Sequence, residues 1–211
     1  MSTLYEEIRA VIDPKLCNEQ ITKYWLKRLE RGDLTRDDGN ASHFCCYFLP
    51  YNPATRQVFI VHHKKAGLWL SPGGHIDRGE SLMQTLNREI EEELGMKQKI
   101  KEEIKPFLLT ITPIENKTRP CKEHMDIWYR FPTDGSEFNV DPQEFYTTRW
   151  VSIEEARQLT TDPPNLEALR KMEQFLALQE PAPANQSAAP NGGPAEPLGN
   201  SGVSVGPPSV S

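Results

Sequence analysis

The residues best equipped for chemistry in this 211-residue chain crowd into one stretch, SPGGHIDRGESLMQTLNREIEEELGM, residues 71–96. If residues 80–94 form a helix, a rotation of roughly 100° per residue sets Glu89, Glu92 and Glu93 within about a 100° arc. Leu86, Ile90 and Leu94 take the neighbouring arc and face a core. Carboxylates crowded beside buried surface repel one another and need a counter-charge. A hard divalent cation supplies it, since magnesium commonly combines a few carboxylates with substrate phosphate oxygens. The turn Pro72-Gly73-Gly74 lets the backbone approach closely and can aim a carbonyl at the same cation. Arg88 stands among the acids and can bridge to Glu80, or to Glu92 one turn on, which orients carboxylates rather than engaging substrate. Taken alone, an EIEEE run also describes a solvated helix face.

Outside this stretch the candidates are more scattered. Lys64 and Lys65 follow an apolar run and are placed to reach phosphates or simply to solubilise a turn. Trp69 either packs beneath the glycine turn or stacks on a base, packing being the commoner use. His62, His63 and His75 are close in sequence, yet neighbouring strand residues point to opposite faces, which argues against a histidine metal cluster.

Elements must position these groups. Thr3 and Glu6 fit a capping box, Pro14 interrupts, and Asn18 can cap a second helix with Ile21, Tyr24, Trp25 and Leu29 on one face. We therefore expect an N-terminal helical extension over 1–31 and a polar linker over 32–42. Short runs rich in aromatic and β-branched residues follow at 43–49, 57–62, 107–112, 125–131 and 147–152, each of strand length and bounded by turn residues. Ser152 with Glu155 forms a capping box, and Asn165 precedes a further amphipathic helix. Strands with interspersed helices predict an α/β or α+β fold, a sheet covered on its faces, over 43–180.

Composition narrows the class. Thirty acidic against 24 basic residues give a net charge of −6, so duplex nucleic acid is not the expected partner. No apolar run is long enough for a membrane span and the first residues lack a secretory pattern, which leads us to expect a cytoplasmic protein. The cysteines Cys17, Cys45, Cys46 and Cys121 form no CxxC pair and read as reduced thiols. Residues 181–211 hold seven of the 18 prolines, five of the 13 glycines and a single charge, Glu196, as expected of a disordered tail.

The stretch 74–96 resembles the Nudix box, GX5EX7REUXEEXGU with U apolar. Gly74, Glu80, Arg88, Glu89, Ile90, Glu92, Glu93, Gly95 and Met96 occupy its specified positions. LWLSPGG before the box and RWVSIEEA at 149–156 are similar to the family's usual flanks, and the whole resembles a bacterial subgroup of unassigned substrate. The resemblance implies an α/β/α sandwich with a mixed sheet and a loop-helix-loop site for Mg2+ or Mn2+. Glu89, Glu92 and Glu93 would be metal ligands together with the Gly73 carbonyl, while Glu80, Arg88 and Gly74 would hold loop and helix together.

The implied activity is metal-dependent hydrolysis of a phosphoanhydride in a nucleoside triphosphate or a nucleoside diphosphate linked to another moiety. The alternative is a non-catalytic Nudix-like module that binds a nucleotide or a protein. The base would be Glu89 or Glu92 or, as in relatives that use a later loop, Glu144, with Glu137 second. Some ADP-ribose-hydrolysing relatives carry a proline 15 or 16 residues past the box, whereas Pro113 lies 17 past Met96. The loop 112–126, with His124, is the expected specificity element. A nucleotide or nucleotide derivative is the expected ligand, and the N-terminal helices are candidates for pairing two copies in a homodimer.

Overall fold

The computed structural model describes residues 2–114 and 120–179, and the expected tail over 181–211 lies outside them. The helical lead forms as its caps require. Thr3 and Glu6 make the reciprocal capping box of α1 (Leu4–Val11), and Asn18 accepts from the Ile21 N–H to start α2 (Glu19–Leu29). These helices do not stand apart, because Ile8, Trp25 and Leu29 join the main core. Buried Arg28 donates to the carbonyls of Gly32, Asp33 and Ser42, tying the segment 32–42 to α2. That segment contains a short 3-10 turn, Arg36–Asp38.

Among the described residues seven strands form one mixed sheet: β1 (Ser42–Asn52), β2 (Gln57–His63), β3 (Leu68–Leu70), β4 (Gly73–His75), β5 (Leu108–Pro113), β6 (Glu123–Pro132) and β7 (Phe145–Val151). The order is β3-β2-β1-β6-β5, with β4 also paired to β1 and β7 to β2. β1 and β6 run parallel from Ser42↔Glu123 to Tyr51↔Pro132, and the other pairs are antiparallel. The five long strands coincide with the five apolar runs. β3 and β4 were not legible, and β6 starts at Glu123, so the expected loop 112–126 is shorter at both ends.

The period of two along a strand sorts side chains between two layers. Phe44, Cys46, Phe48, Met125, Ile127 and Tyr129 face α1, α2 and α3 (Leu82–Leu94). Leu49, Tyr51, Val58 and Ile60 face α4 (Ile153–Leu159) and α5 (Pro163–Ala177) through Ala156, Leu169, Met172 and Leu176. The result is the sandwich expected from the sequence. Among the described residues no helix is long and apolar enough to cross a membrane.

Two helix starts differ from expectation. Ser81, not Glu80, begins α3, in a capping box with Gln84, so Glu80 lies in the loop before it. α5 begins at Asp162, whose side chain accepts from the Asn165 N–H at 3.0 Å, with Pro163 and Pro164 filling positions that need no donor. Asn165 is thereby inside the first turn, and its Oδ1 accepts from the buried Ser71 N–H at 2.7 Å. Asp162→Ala should therefore cost roughly 1–2 kcal/mol in denaturant unfolding, at the upper end for a lost cap because the Ser71 contact is loosened with it. An unchanged midpoint would show that the proline pair alone holds this helix start.

Candidate active site

The glycine turn and α3 meet face to face. Leu82, Leu86, Ile90 and Leu94 anchor the helix in the core, and Glu89 and Glu93, each one residue before the last two of these, are buried beside them. Glu89 is 6% and Glu93 5% exposed. Glu93 Oε2 accepts from the Gly73 N–H at 2.7 Å. Gly73 has φ 138°, and a Cβ there would lie 2.4 Å from the Cys46 carbonyl oxygen of β1. A Cβ on Gly74 would lie 2.5 Å from Glu89 Oε1. Both glycines are therefore required by close approach, one to the sheet and one to a carboxylate.

Arg88 is the hub of the loop-helix junction. Its Nε and Nη2 donate to the two oxygens of Glu80 at 2.8 and 3.0 Å, and Nη2 also donates to the His75 carbonyl at 2.8 Å. Nη1 donates to Glu89 Oε1 at 2.7 Å and to Glu92 Oε2 at 3.0 Å. Arg88 thus bridges the loop acid Glu80 and the helix acids Glu89 and Glu92. Burial pushes Glu80 up, but Arg88, the Thr85 hydroxyl and the Asp77 N–H more than reverse this and hold it below the usual carboxylate range.

Glu89 and Glu93 both shift the other way from Glu80. Burial, opposed by Arg88 and reinforced by Glu92 and Asp77, pushes Glu89 up to about 7. Burial and then the charge of Glu89 push Glu93 well above the carboxylate range, with the Gly73 N–H acting against them and Glu144 and Glu92 adding to the rise. One divalent charge placed beside these two adjacent buried carboxylates would offset their repulsion and their desolvation together. Glu92 differs, its side chain being 58% exposed and held by Arg88.

The remaining candidates divide. Glu144 lies in the turn before β7, near enough for its charge to raise Glu93, and Lys65 Nζ stands 3.8 Å from its Oε1. Lys64 Nζ donates to the Pro142 carbonyl at 2.6 Å, so both lysines contact the segment around Glu144. Trp69 packs: it stacks on His62 at 5.1 Å between ring centroids, with Arg149 over its ring at 5.4 Å. His124 sits on β6, buried, with its Nε2 3.2 Å from His75 Nε2. Sequence proximity had grouped His75 with His62 and His63. In the sheet those two belong to β2, with His63 against Phe145, whereas His75 meets His43 and His124. The His43-x-Cys45 and His124-x-Asp126 alternations were the available signal, and only the β1/β6 register unites them.

Comparison with known proteins agrees with this construction. A family model described as the NUDIX domain matches residues 19–172. Nudix hydrolase 6 of Arabidopsis thaliana is 30% identical over 111 residues, which span 49% of this chain and 37% of that protein. CTP pyrophosphohydrolase of Escherichia coli is 29% identical over 121 residues, 57% of this chain and 80% of that protein. The solved structure of E. coli dihydroneopterin triphosphate pyrophosphohydrolase superposes with a TM-score of 0.51 at 17% identity, covering 64% of this chain and 94% of that one, a likeness of fold. With a complete box folded as loop and helix and a family match over most of its length, the chain belongs to the Nudix family.

Proposed function

We propose that the protein hydrolyses a phosphoanhydride bond in a nucleoside triphosphate or in a nucleoside diphosphate linked to another group. The observation that carries this reading is the pair of buried carboxylates, Glu89 and Glu93, turned toward a glycine loop that one of them holds by a 2.7 Å hydrogen bond. A carboxylate cluster beside a glycine loop suits substrates whose own oxygens complete a cation's shell. The family membership and the pyrophosphohydrolase among the relatives support the same class.

Glu89, Glu92 and Glu93, with the Gly73 carbonyl, are the residues that would hold Mg2+ or Mn2+. When bound, such an ion neutralises phosphate oxygens and lowers the pKa of a water molecule. Arg88 and Glu80 keep the acids in place. Glu144 is our assignment for the base that takes the water proton, because it is the acid outside the box whose charge reaches Glu93; Glu89 is the alternative within the helix. Lys64 and Lys65 are assigned to the approach of the substrate. The water oxygen bonds to phosphorus, the bridging P–O bond breaks, and the leaving oxygen departs with the mononucleotide or phosphate.

The deciding experiment is a panel of nucleoside triphosphates, dinucleoside polyphosphates, nucleotide sugars and nucleotide cofactors, each with Mg2+ and Mn2+, read as released phosphate or mononucleotide. We expect turnover on at least one member that disappears with chelator. Inactivity across the whole panel with both ions would favour the non-catalytic binding module instead.

A further inference from the structure

The face of the sheet turned away from α3 carries a second cluster with different ligand chemistry. His43 and Cys45 alternate on β1, so they share a face. The register sets His124 of β6 beside His43, and His75 of β4 beside Cys45. Ring centroids are 4.7 Å apart for His43 and His75, 5.0 Å for His43 and His124, and 4.8 Å for His75 and His124. One donor atom from each of His43, Cys45, His75 and His124 lies within 4.8 Å of every other.

The tautomer of His43 is informative. Its Nδ1 lies 3.1 Å from the Asn40 carbonyl, which can only accept, so Nδ1 carries the proton and Nε2 keeps its lone pair. His43 is fully buried, and among the described residues its Nε2 has no hydrogen-bond partner. An imidazole fixed by a backbone carbonyl on one nitrogen, with the other bare among histidines and a thiol, is the arrangement by which proteins orient a metal-binding histidine. The 3.2 Å between His75 Nε2 and His124 Nε2 is close to the separation of about 3.3 Å expected of two nitrogens on one tetrahedral zinc. Cys121 Sγ stands 3.9 Å from His75 Nε2 as a further sulfur.

We propose that His43, Cys45, His75 and His124 bind one Zn2+ as a structural site separate from the carboxylate centre. Three imidazoles and a thiolate suit a borderline-soft ion and not magnesium. Metal binding displaces the Cys45 thiol proton to solvent. Asp126, paired in register with Cys45 and hydrogen-bonded by Thr110 and Thr112, adds a compensating acid beside the site. Because His75 follows Gly73-Gly74 on β4, the ion would pin to the sheet the strand whose other side meets Glu89 and Glu93.

The test uses the full chain without a polyhistidine tag, incubated with Zn2+, exchanged into metal-free buffer and measured by elemental analysis. We expect about one zinc per chain in the wild type and in Glu93→Gln, and a loss of roughly ten-fold or more in Cys45→Ala and in His124→Gln. With Co2+ in place of zinc, the wild type should show intense ligand-field bands of tetrahedral coordination and a thiolate charge-transfer band that Cys45→Ala removes. This wild-type spectrum decides the matter even where a variant fails to fold. Wild type that retains no zinc after exchange would overturn the proposal. So would undiminished zinc in a folded Cys45→Ala, or a charge-transfer band lost only in Cys121→Ala.

Discussion

Glu93→Gln should reduce divalent-metal-dependent turnover by about 10³-fold or more, because several kcal/mol of transition-state charge stabilisation rest on the cation that this carboxylate helps to hold. The substitution separates charge from structure. Glutamine keeps a carbonyl oxygen to accept from the Gly73 N–H, so the 2.7 Å contact between loop and helix survives. It removes a negative charge that burial and Glu89 disfavour. A carboxyl group raised in the folded state binds its proton more tightly there than in the unfolded chain, so its stabilising contribution is lost as pH rises through the folded value. In chelator above neutral pH the variant should accordingly be as stable as the wild type or more so, and Mg2+ should raise the melting temperature of the wild type by more. The checks are kcat/KM at saturating Mg2+ and thermal unfolding with and without the ion. Wild-type turnover in a folded Glu93→Gln protein would remove the proposed centre.

How much of this was legible depended on the range of the interaction. Glu89 and Glu93 were readable because their placement follows from helix rotation against Leu86, Ile90 and Leu94, all within a few turns. The exposure of Glu92 was not readable, since it depends on Arg88 engaging Glu80, Glu89 and Glu92 together. The long strands announce themselves by apolar runs, whereas β3 and β4 have three residues each and one of them is Gly-Gly-His. They are strands because β2 and β1 offer them edges, a tertiary cause with no local signature. The start of α5 was obscured by Pro163-Pro164, which look like a break until Asp162 is recognised as the cap. The histidine cluster fell outside sequence reasoning for the same reason as the short strands: His43, His75 and His124 are brought together by register alone.

Gly73→Ala should damage stability and turnover together, and the neighbouring glycines make the reason testable. At Gly73 the added methyl would meet the backbone of β1, 2.4 Å from the Cys46 oxygen and 2.6 Å from the Tyr47 Cα, at φ 138°. β1 cannot retreat, because it is paired along its length with β6. The turn must therefore leave the sheet, which takes the Gly73 N–H away from Glu93. We expect a loss of about 3 kcal/mol or more, in the range of severe backbone clashes, and at least about 10²-fold in kcat/KM from the displaced carboxylate. At Gly74 the atoms nearest the methyl all belong to the Glu89 side chain, with Oε1 at 2.5 Å, so Gly74→Ala should fold with a smaller stability loss yet lose turnover. At Gly79 nothing lies within 4 Å, although φ is 87°, so Gly79→Ala should show only the backbone cost of a left-handed residue, about 1–2 kcal/mol, with turnover near wild type. Denaturant midpoints and kcat/KM for the three variants, measured side by side, separate the effects. If Gly73→Ala behaved like Gly79→Ala, the close approach of the loop to β1 would not be what holds Glu93 in place.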